Sequence, residues 1–166
     1  MSALKHFNVE KLGVEIHKTR GESGKAAAEM AIKAILDAVA AKGEANVIFA
    51  AAPSQNDILA ALKVDKRIPW DKVNAFHLDE YHTLPNGAPQ RFDVFLKKNI
   101  WDEVKPRAIY PVVPENGMKA PEIDARYEKL MKEHAPDLAL LGVGENGHLA
   151  FVDPPFADFE DRLTIR

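Results

Sequence analysis

Short apolar runs separated by helical segments are the feature that most constrains how this chain can fold. The run "NVIFAAA" (46–52) has no polar face, which is typical of a strand covered on both sides of a sheet. Further runs at 73–78, 108–113 and 137–143 are also predicted to be strands. Segments with helical features lie between them. This alternation predicts an α/β fold with a doubly wound, mainly parallel sheet and helices on both faces.

The remaining elements are predicted from apolar spacing and from residues that begin or end helices. Gly43 provides a stop for the first helix, and Ser54 is predicted to be the N-cap of the helix after the run at 46–52. A proline begins the last predicted helix, as helix starts prefer. The predicted elements are a first strand at 14–17 and helices at 23–43, 54–64, 90–104 and 121–134.

Composition and charge exclude several classes of protein. The 166 residues (1–166) are expected to form a single domain, and the absence of cysteine excludes a disulfide framework and a Cys-ligated metal. The net charge is −3 with a pI near 6.1, and no basic stripe predicts nucleic-acid binding. No apolar run approaches the ~18 residues of a membrane span, and no signal-peptide core is visible. A cytoplasmic location is therefore expected.

Two glycine patterns resemble nucleotide-binding motifs without their context. Gly142, Gly144 and Gly147 spell G-x-G-x-x-G, but a dinucleotide site needs a helix directly afterwards and a further βα unit with an acidic residue. The stretch "VDPP" (152–155) disfavours that helix. The stretch "TRGESGKAA" (19–27) lacks the first glycine and the last hydroxyl of a P-loop and is interpreted as a helix start.

Three polar stretches begin where a predicted strand ends. They are "AAPSQND" (51–57), "LDEYHTLP" (78–85) and "GVGENGH" (142–148). In open parallel sheets, ligands bind at the carboxyl ends of strands, where such stretches meet. We therefore expect one site that is built from all three.

The stretch "FHLDEYH" concentrates titratable residues: His77, Asp79, Glu80 and His82. One interpretation is a metal site, although two histidines without a distant third ligand are weak evidence for one. A second interpretation is a solvated strand end with two exposed acids. The third is a general base at the carboxyl edge of the sheet, where partial burial raises the pKa of a carboxyl group toward its working range.

Two of the stretches together resemble a known family. "LDEYHTLP" is similar to the Asp-Glu-Tyr-x-x-Leu-Pro motif of glucosamine-6-phosphate deaminases, and "LGVGENGHLAFVDPP" is similar to their Gly-x-Gly-x-x-Gly-His-x-Ala-Phe-x-x-Pro segment. About 60 residues separate the two, as in the family. The superfamily also contains 6-phosphogluconolactonases and sugar-phosphate isomerases, and Tyr81, Ala150 and Phe151 side with the deaminase and isomerase branch.

The resemblance implies chemistry on an amino sugar phosphate or a close isomer, without a cofactor or a metal. It implies that His148 assists ring opening, that Asp79 takes the C2 proton, and that Asp153 orients His148. Glu80 and Asn146 are included in the expected catalytic group. Gly142, Gly144 and Gly147 would let backbone amides approach sugar oxygens, and Ser54 and Gln55 would offer donors to the phosphate. The plainer interpretations are a turn role for His148, a cap or turn role for Asp153, and an N-cap role for Ser54.

The chain departs from the family pattern at three points. Asn146 stands where many deaminases have aspartate, and an amide cannot act as a base. Asp153 replaces the usual glutamate, and the alanines at 50–52 replace a glycine-rich phosphate turn. The first two departures make strict deaminase activity doubtful and make an isomerase of another phosphosugar more plausible.

The family also continues beyond the length of this chain, with basic residues that clamp the phosphate. We therefore expect 1–166 to be C-terminally truncated, with "EDRLTIR" (160–166) as the start of another strand. The function expected is a sugar-phosphate aldose–ketose isomerase, either a glucosamine-6-phosphate or a galactosamine-6-phosphate deaminase or an enzyme on another sugar. A non-catalytic sugar-phosphate sensor and a 6-phosphogluconolactonase are the alternatives. A small-molecule sugar phosphate is the expected partner, and the sequence is compatible with a homo-oligomer.

Overall fold

The computed structural model describes residues 3–114, 117–154, 158 and 160. It begins with a hairpin in which β1 (Lys5–Val9) pairs antiparallel with β2 (Leu12–Ile16). The sequence predicted a single strand at 14–17, so β1 was missed. Every side chain of β1 is exposed, and the strand therefore carries no buried apolar run for a pattern to detect.

The main sheet has four parallel strands. They are β3 (Ala45–Phe49), β4 (Val73–His77), β5 (Ala108–Tyr110) and β6 (Leu138–Leu140), in the spatial order β5-β4-β3-β6. The chain runs outward from β3 to β5 and then crosses to the other side of β3 to form β6. This reversal is the mark of a doubly wound fold, and it creates a crevice between the carboxyl ends of β3 and β6.

Helices cover both faces of the sheet, which confirms the predicted fold class. Gly43 ends the first helix as predicted: its φ is +84°, and its N–H donates to the carbonyl of Val39 at 2.9 Å. Within the described residues, no helix is long and apolar enough to cross a membrane. The helices are α1 (Arg20–Lys42), α2 (Asn56–Val64), α3 (Phe92–Leu96), α4 (Asp102–Val104) and α5 (Ala120–Glu133), with 3₁₀ turns at Pro53–Gln55 and Trp70–Lys72 and a π turn at Lys97–Trp101 that joins α3 to α4.

The alternation of side chains along the strands divides the apolar core in two. Val47 and Phe49 of β3 pack under α1 and α2, while Ile48 between them packs on the opposite face with α5. Burial on both faces explains why β3 has no polar stripe and why the sequence identified it. The larger core also receives Trp101 from the π turn, whose ring meets Phe49 edge-on at 5.8 Å.

The strand predicted at 46–52 ends at Phe49, and β5 and β6 are also shorter than predicted. β5 ends at Tyr110 because Pro111 has no N–H, and the next amide, of Val112, donates instead to the Nε2 of His77 at 2.7 Å. The apolar residues at 112 and 113, which suggested a longer strand, are both buried valines outside the strand. β6 ends at Leu140, and Leu141 and Val143 beyond it are exposed. The strand start predicted at 160–166 falls, apart from Glu160, outside the described residues.

Candidate active site

The ends of β3, β4 and β6 meet at one cleft of about 450 Å³. It lies at the crevice where the strand order reverses, which is the expected position of a ligand site in a doubly wound sheet. Six of the ten predicted site residues line it, and Glu80, Asn146, Gln55 and Gly147 do not. Its lining comprises Ala50, Ala51, Ala52, Ser54, Leu78, Asp79, Phe92, Gly142, Val143, Gly144, His148, Ala150, Phe151 and Asp153.

Asp79 lies just beyond the end of β4, with its carboxyl group facing this cleft. Partial burial raises the pKa of Asp79 to about 6, the negative charge of Glu80 adds to the rise, and His148 acts in the opposite direction. The effect of His148 on Asp79 means that the two side chains are electrostatic neighbours across the cleft. A carboxyl group with such a pKa is ionised at neutral pH and is more basic than an ordinary aspartate.

His77 holds the backbone at Asp79, a role that the sequence did not reveal. Its side chain is fully buried; Nδ1 donates to the carbonyl of Asp79 at 3.0 Å, and Nε2 accepts from the amide of Val112. Burial lowers the pKa of His77 to about 4, so the ring is neutral and carries its proton on Nδ1. Both nitrogens are therefore engaged, which argues against the metal-site interpretation.

Glu80 is neither a cleft residue nor an exposed acid. Its side chain is 0% exposed, and its carboxylate accepts three backbone N–H bonds, from Tyr81 at 2.9 Å and from Phe92 and Asp93 at 3.0 Å each. Two of these donors belong to the first turn of α3, whose amides have no partner within the helix. Glu80 thus caps a helix, and the catalytic role predicted for it has no support in the geometry.

The loop after β6 builds the opposite wall of the cleft around His148. The Nδ1 of His148 lies 2.7 Å from the Oδ1 of Asn146 and 3.1 Å from the Oδ1 of Asp153. The amide nitrogen of Asn146 donates to Asp153 at 2.9 Å. The structure therefore brings the three predicted residues into contact, although Asn146 is exposed and does not line the cleft.

Gly144 is needed because the imidazole of His148 lies against its Cα. A Cβ at position 144 would overlap the ring atoms Cε1, Nδ1 and Nε2 of His148. Its φ is not positive, so the ring alone excludes a side chain. From the sequence, the missing side chain at 144 was expected to let backbone amides approach sugar oxygens. In the structure it makes room for the ring of His148.

Replacing Gly144 by alanine should displace the imidazole from the cleft. Misplacement of a catalytic group by about 1 Å reduces turnover by roughly 10²-fold, and we expect a loss of that order. Turnover and a structure of the variant would check this. Gly21→Ala, in the first turn of α1 where a Cβ would meet nothing within 4 Å, is the matched control. An unmoved ring with unchanged turnover would contradict the expectation.

The other two glycines of the motif have separate roles. Gly147 has a φ of +87° and closes a turn through its amide, which donates to the carbonyl of Gly144 at 3.0 Å. It lies outside the cleft lining, contrary to the substrate contact predicted for it. Gly142 does line the cleft, and a Cβ there would lie 3.4 Å from the side chains of Ser54 and Gln55.

Ser54 and Gln55 differ from the prediction in different ways. Ser54 is exposed and lines the cleft, but it is not an N-cap, because it lies inside the 3₁₀ turn that precedes α2. Gln55 occupies the N-cap position without a side-chain cap bond. Its side chain is buried behind the cleft, where Nε2 donates to the carbonyl of Leu141 at 3.4 Å. Gln55 thus links the loops after β3 and β6 and offers no donor to the cleft.

An aromatic cluster joins the two motif stretches. Tyr81 packs against Phe92 and Phe151 with ring centroids 5.1 and 5.2 Å apart, and Phe92 stacks on Phe151 at 5.8 Å. Phe92 and Phe151 line the cleft, and Phe151 is half-exposed. The cluster therefore joins the loop after β4 to the loop after β6 at one wall of the cleft.

Arg91 organises the loop between Glu80 and α3, and the sequence gave no signal for it. Its guanidinium is 1% exposed and donates to Asp93 and to the carbonyl of Val113 at 2.8 Å each, and to the Oδ1 of Asn86 at 3.0 Å. Burial by itself would raise the pKa of Asp93, but the bonds from Arg91 and Lys97 hold it below its usual range. Nothing short-range distinguishes Arg91 from a surface arginine.

No group of three metal-ligating side chains is close enough to hold an ion within the parts of the chain that the structure describes. The cleft has the basic carboxylate of Asp79 on one wall and the imidazole of His148 on the other. Such a pair can move protons between carbon and oxygen atoms of a bound polyol.

Comparison with known families shows to which family the chain belongs. A sequence profile described as glucosamine-6-phosphate isomerases/6-phosphogluconolactonase matches residues 18–160. The chain belongs to this family. The resemblance predicted from the two motifs is thus confirmed.

Two curated members of the family show the extent of the match. A glucosamine-6-phosphate deaminase from Bacillus cytotoxicus is 34% identical over 136 residues, which cover 80% of this chain and 50% of the relative. One from Lactobacillus acidophilus is 32% identical over 114 residues, covering 68% and 47%. The chain spans about half the length of the curated relatives it matches.

Solved structures agree on the fold. A monomeric glucosamine-6-phosphate deaminase superposes with a TM-score of 0.74 at 21% identity, covering 87% of this chain and 60% of the other. A 6-phosphogluconolactonase from Plasmodium vivax superposes with a TM-score of 0.78 at 15% identity, covering 91% and 55%. Both branches of the family therefore share the architecture described above.

Proposed function

We propose that this protein is a sugar-phosphate aldose–ketose isomerase of the hexosamine-6-phosphate deaminase type. The observation that carries the proposal is the placement of Asp79, with its raised pKa, in the same cleft as His148. A base for carbon and a proton carrier for oxygen are the two groups that aldose–ketose isomerisation requires.

The proposed reaction begins with ring opening. His148 moves a proton between the anomeric hydroxyl and the ring oxygen, which frees the C1 aldehyde of the sugar. The carboxylate of Asp79 then takes the proton from C2, and the electron pair of that C–H bond forms an enediol-type intermediate. The C1 oxygen gains a proton as the enediol forms, and return of the first proton to C1 with loss of the proton from the C2 hydroxyl gives the ketose. Asp153, next to His148, stabilises the imidazole when it is charged.

The more specific part of the proposal is that the reaction also releases an amine. If the substrate carries an amino group at C2, the same proton shift leaves a C2 iminium, which water hydrolyses to the ketose and ammonia. The curated relatives are named for this deamination. Asp153 is the carboxylate that directly contacts His148, so the protonated imidazole is balanced by one negative charge at that contact.

Lactone hydrolysis is the second candidate, because the description of the matching family profile also includes 6-phosphogluconolactonase. In that reaction His148 would activate water, and Asp79 would have no proton to take from carbon. The two functions therefore differ in their need for Asp79. The third alternative, a sugar-phosphate sensor, would bind the ligand without turnover.

Exchange of the C2 proton is the direct test. We expect the protein in D₂O to replace the C2 hydrogen of glucosamine 6-phosphate or of another hexose 6-phosphate, as measured by proton NMR, with ammonia assayed in parallel. Exchange without ammonia would identify an isomerase of a neutral sugar. Hydrolysis of 6-phosphogluconolactone without exchange, or thermal stabilisation by these sugars without either reaction, would contradict the proposal in favour of the lactonase or the sensor.

A further inference from the structure

The hydrogen bonds around Asn146 determine which nitrogen of His148 carries the proton. A carboxylate only accepts hydrogen bonds, so the atom of Asn146 that lies 2.9 Å from Asp153 must be the amide nitrogen. The amide oxygen therefore faces His148. This orientation has independent support, because the backbone N–H of His148 donates to the same oxygen at 3.2 Å.

The amide oxygen of Asn146 in turn determines which nitrogen of the His148 imidazole carries the hydrogen. The Nδ1 of His148 lies 2.7 Å from the Oδ1 of Asn146 and has Asp153 at 3.1 Å as a second acceptor. A nitrogen that faces two acceptors must carry a hydrogen. The Nε2 forms no hydrogen bond with the residues that the structure describes, and His148 lines the cleft.

We propose that Asn146 is a positioning residue that holds neutral His148 as the Nδ1–H tautomer and leaves the lone pair of Nε2 free to accept a proton from the bound sugar. This inference rests on the proposed function for its chemical meaning, but the tautomer itself is a property of the free protein. The direction of transfer follows: His148 begins the cycle as a base toward the anomeric hydroxyl and acts as an acid only after it has taken that proton.

The hydrogen bonds of Asn146 explain how an asparagine can replace the aspartate that many deaminases have at this position. An aspartate would place a second carboxylate within reach of Asp153, whereas asparagine has a donor for Asp153 and an acceptor for His148. The amide thereby connects the charge of Asp153 to the ring without adding a charge of its own. Asn146 does not touch the cleft and acts through His148.

Nitrogen-15 NMR of labelled histidine in the unliganded protein tests the proposal, at about pH 8, where an ordinary imidazole is neutral. We expect His148 to show a protonated Nδ1 and an unprotonated Nε2. Asn146→Leu, which keeps the side-chain size and removes the polar atoms, should give a mixture of tautomers. Glu145→Gln, a change at the exposed neighbouring residue, is the control and should leave the spectrum unchanged.

Each result of that experiment is decisive. A protonated Nε2 in the wild-type protein would overturn the proposal, and so would an unchanged spectrum in Asn146→Leu, because Asp153 alone would then fix the ring. Where C2-proton exchange is observed, Asn146→Leu should lower kcat by about 10²-fold with little change in KM, as expected for a misoriented group. Absence of exchange in the wild type would refute the proposed function but not the tautomer.

Discussion

Replacing Asp79 by asparagine should reduce C2-proton exchange by about 10²- to 10⁴-fold, the usual contribution of a general base. Asparagine keeps the shape of the side chain and cannot take a proton, so binding of the sugar phosphate should change little. The measurement is the exchange rate in D₂O at saturating substrate. Asp71→Asn, at the opposite end of β4 on an exposed turn, is the matched control and should exchange at the wild-type rate.

The pH dependence of C2-proton exchange is a second test of Asp79 as the base. Because burial raises the pKa of Asp79 to about 6, the wild-type rate should fall with a single-proton limb as the pH drops below about 6. An ordinary aspartate would keep its activity to about pH 4. Two results would show that Asp79 is not the base. One is an exchange rate that stays constant between pH 7 and pH 5, and the other is a wild-type exchange rate in Asp79→Asn.

Stability of the same variant separates loss of function from loss of fold. The pKa of Asp79 is higher in the folded protein than in the unfolded chain, so the protonated acid favours the fold below about pH 4, and this stabilisation is lost as the pH rises through 6. At neutral pH the buried charge opposes folding. Asp79→Asn should therefore have a higher Tm than the wild type at pH 7 to 8 and lose that advantage near pH 4.

Replacing Arg91 by methionine should lower the free energy of unfolding by about 3–5 kcal/mol, the range for removing one partner of a buried ion pair. The substitution leaves Asp93 without its guanidinium donor and leaves the carbonyl of Val113 without its hydrogen bond. Urea unfolding at neutral pH would measure the loss. The loop from Glu80 to α3 should also become more accessible to hydrogen exchange, because Arg91 donates to the loop carbonyl of Leu84 at 3.4 Å.

A surface arginine provides the comparison. Arg107 pairs with Glu44 at 2.8 Å, but its side chain is 54% exposed. Exposed pairs contribute at most about 1 kcal/mol, so Arg107→Met should be nearly neutral. Equal losses in the two variants would mean that the network of Arg91 does not stabilise the loop beyond an ordinary surface contact.

The two adjacent acids show where sequence reasoning succeeded and where it failed. The sequence placed Asp79 and Glu80 together at the end of a strand, and the structure puts both there. It could not separate their environments, because two of the three amides that bind Glu80 come from residues 12 and 13 positions later, at the start of α3. His77 was singled out for its residue type, yet its partner Val112 is 35 positions away.

Local pattern determined the parts of this protein that depend on neighbouring residues: the alternation of strand and helix, the stop at Gly43, and the two motifs whose order identified the family. The tertiary structure alone decided which of the marked side chains share the cleft, why Gly144 lacks a side chain, and how Arg91 and Asn146 hold their neighbours. Those outcomes depend on hydrogen-bond directions and burial, and both are set by segments that meet only after the sheet has formed.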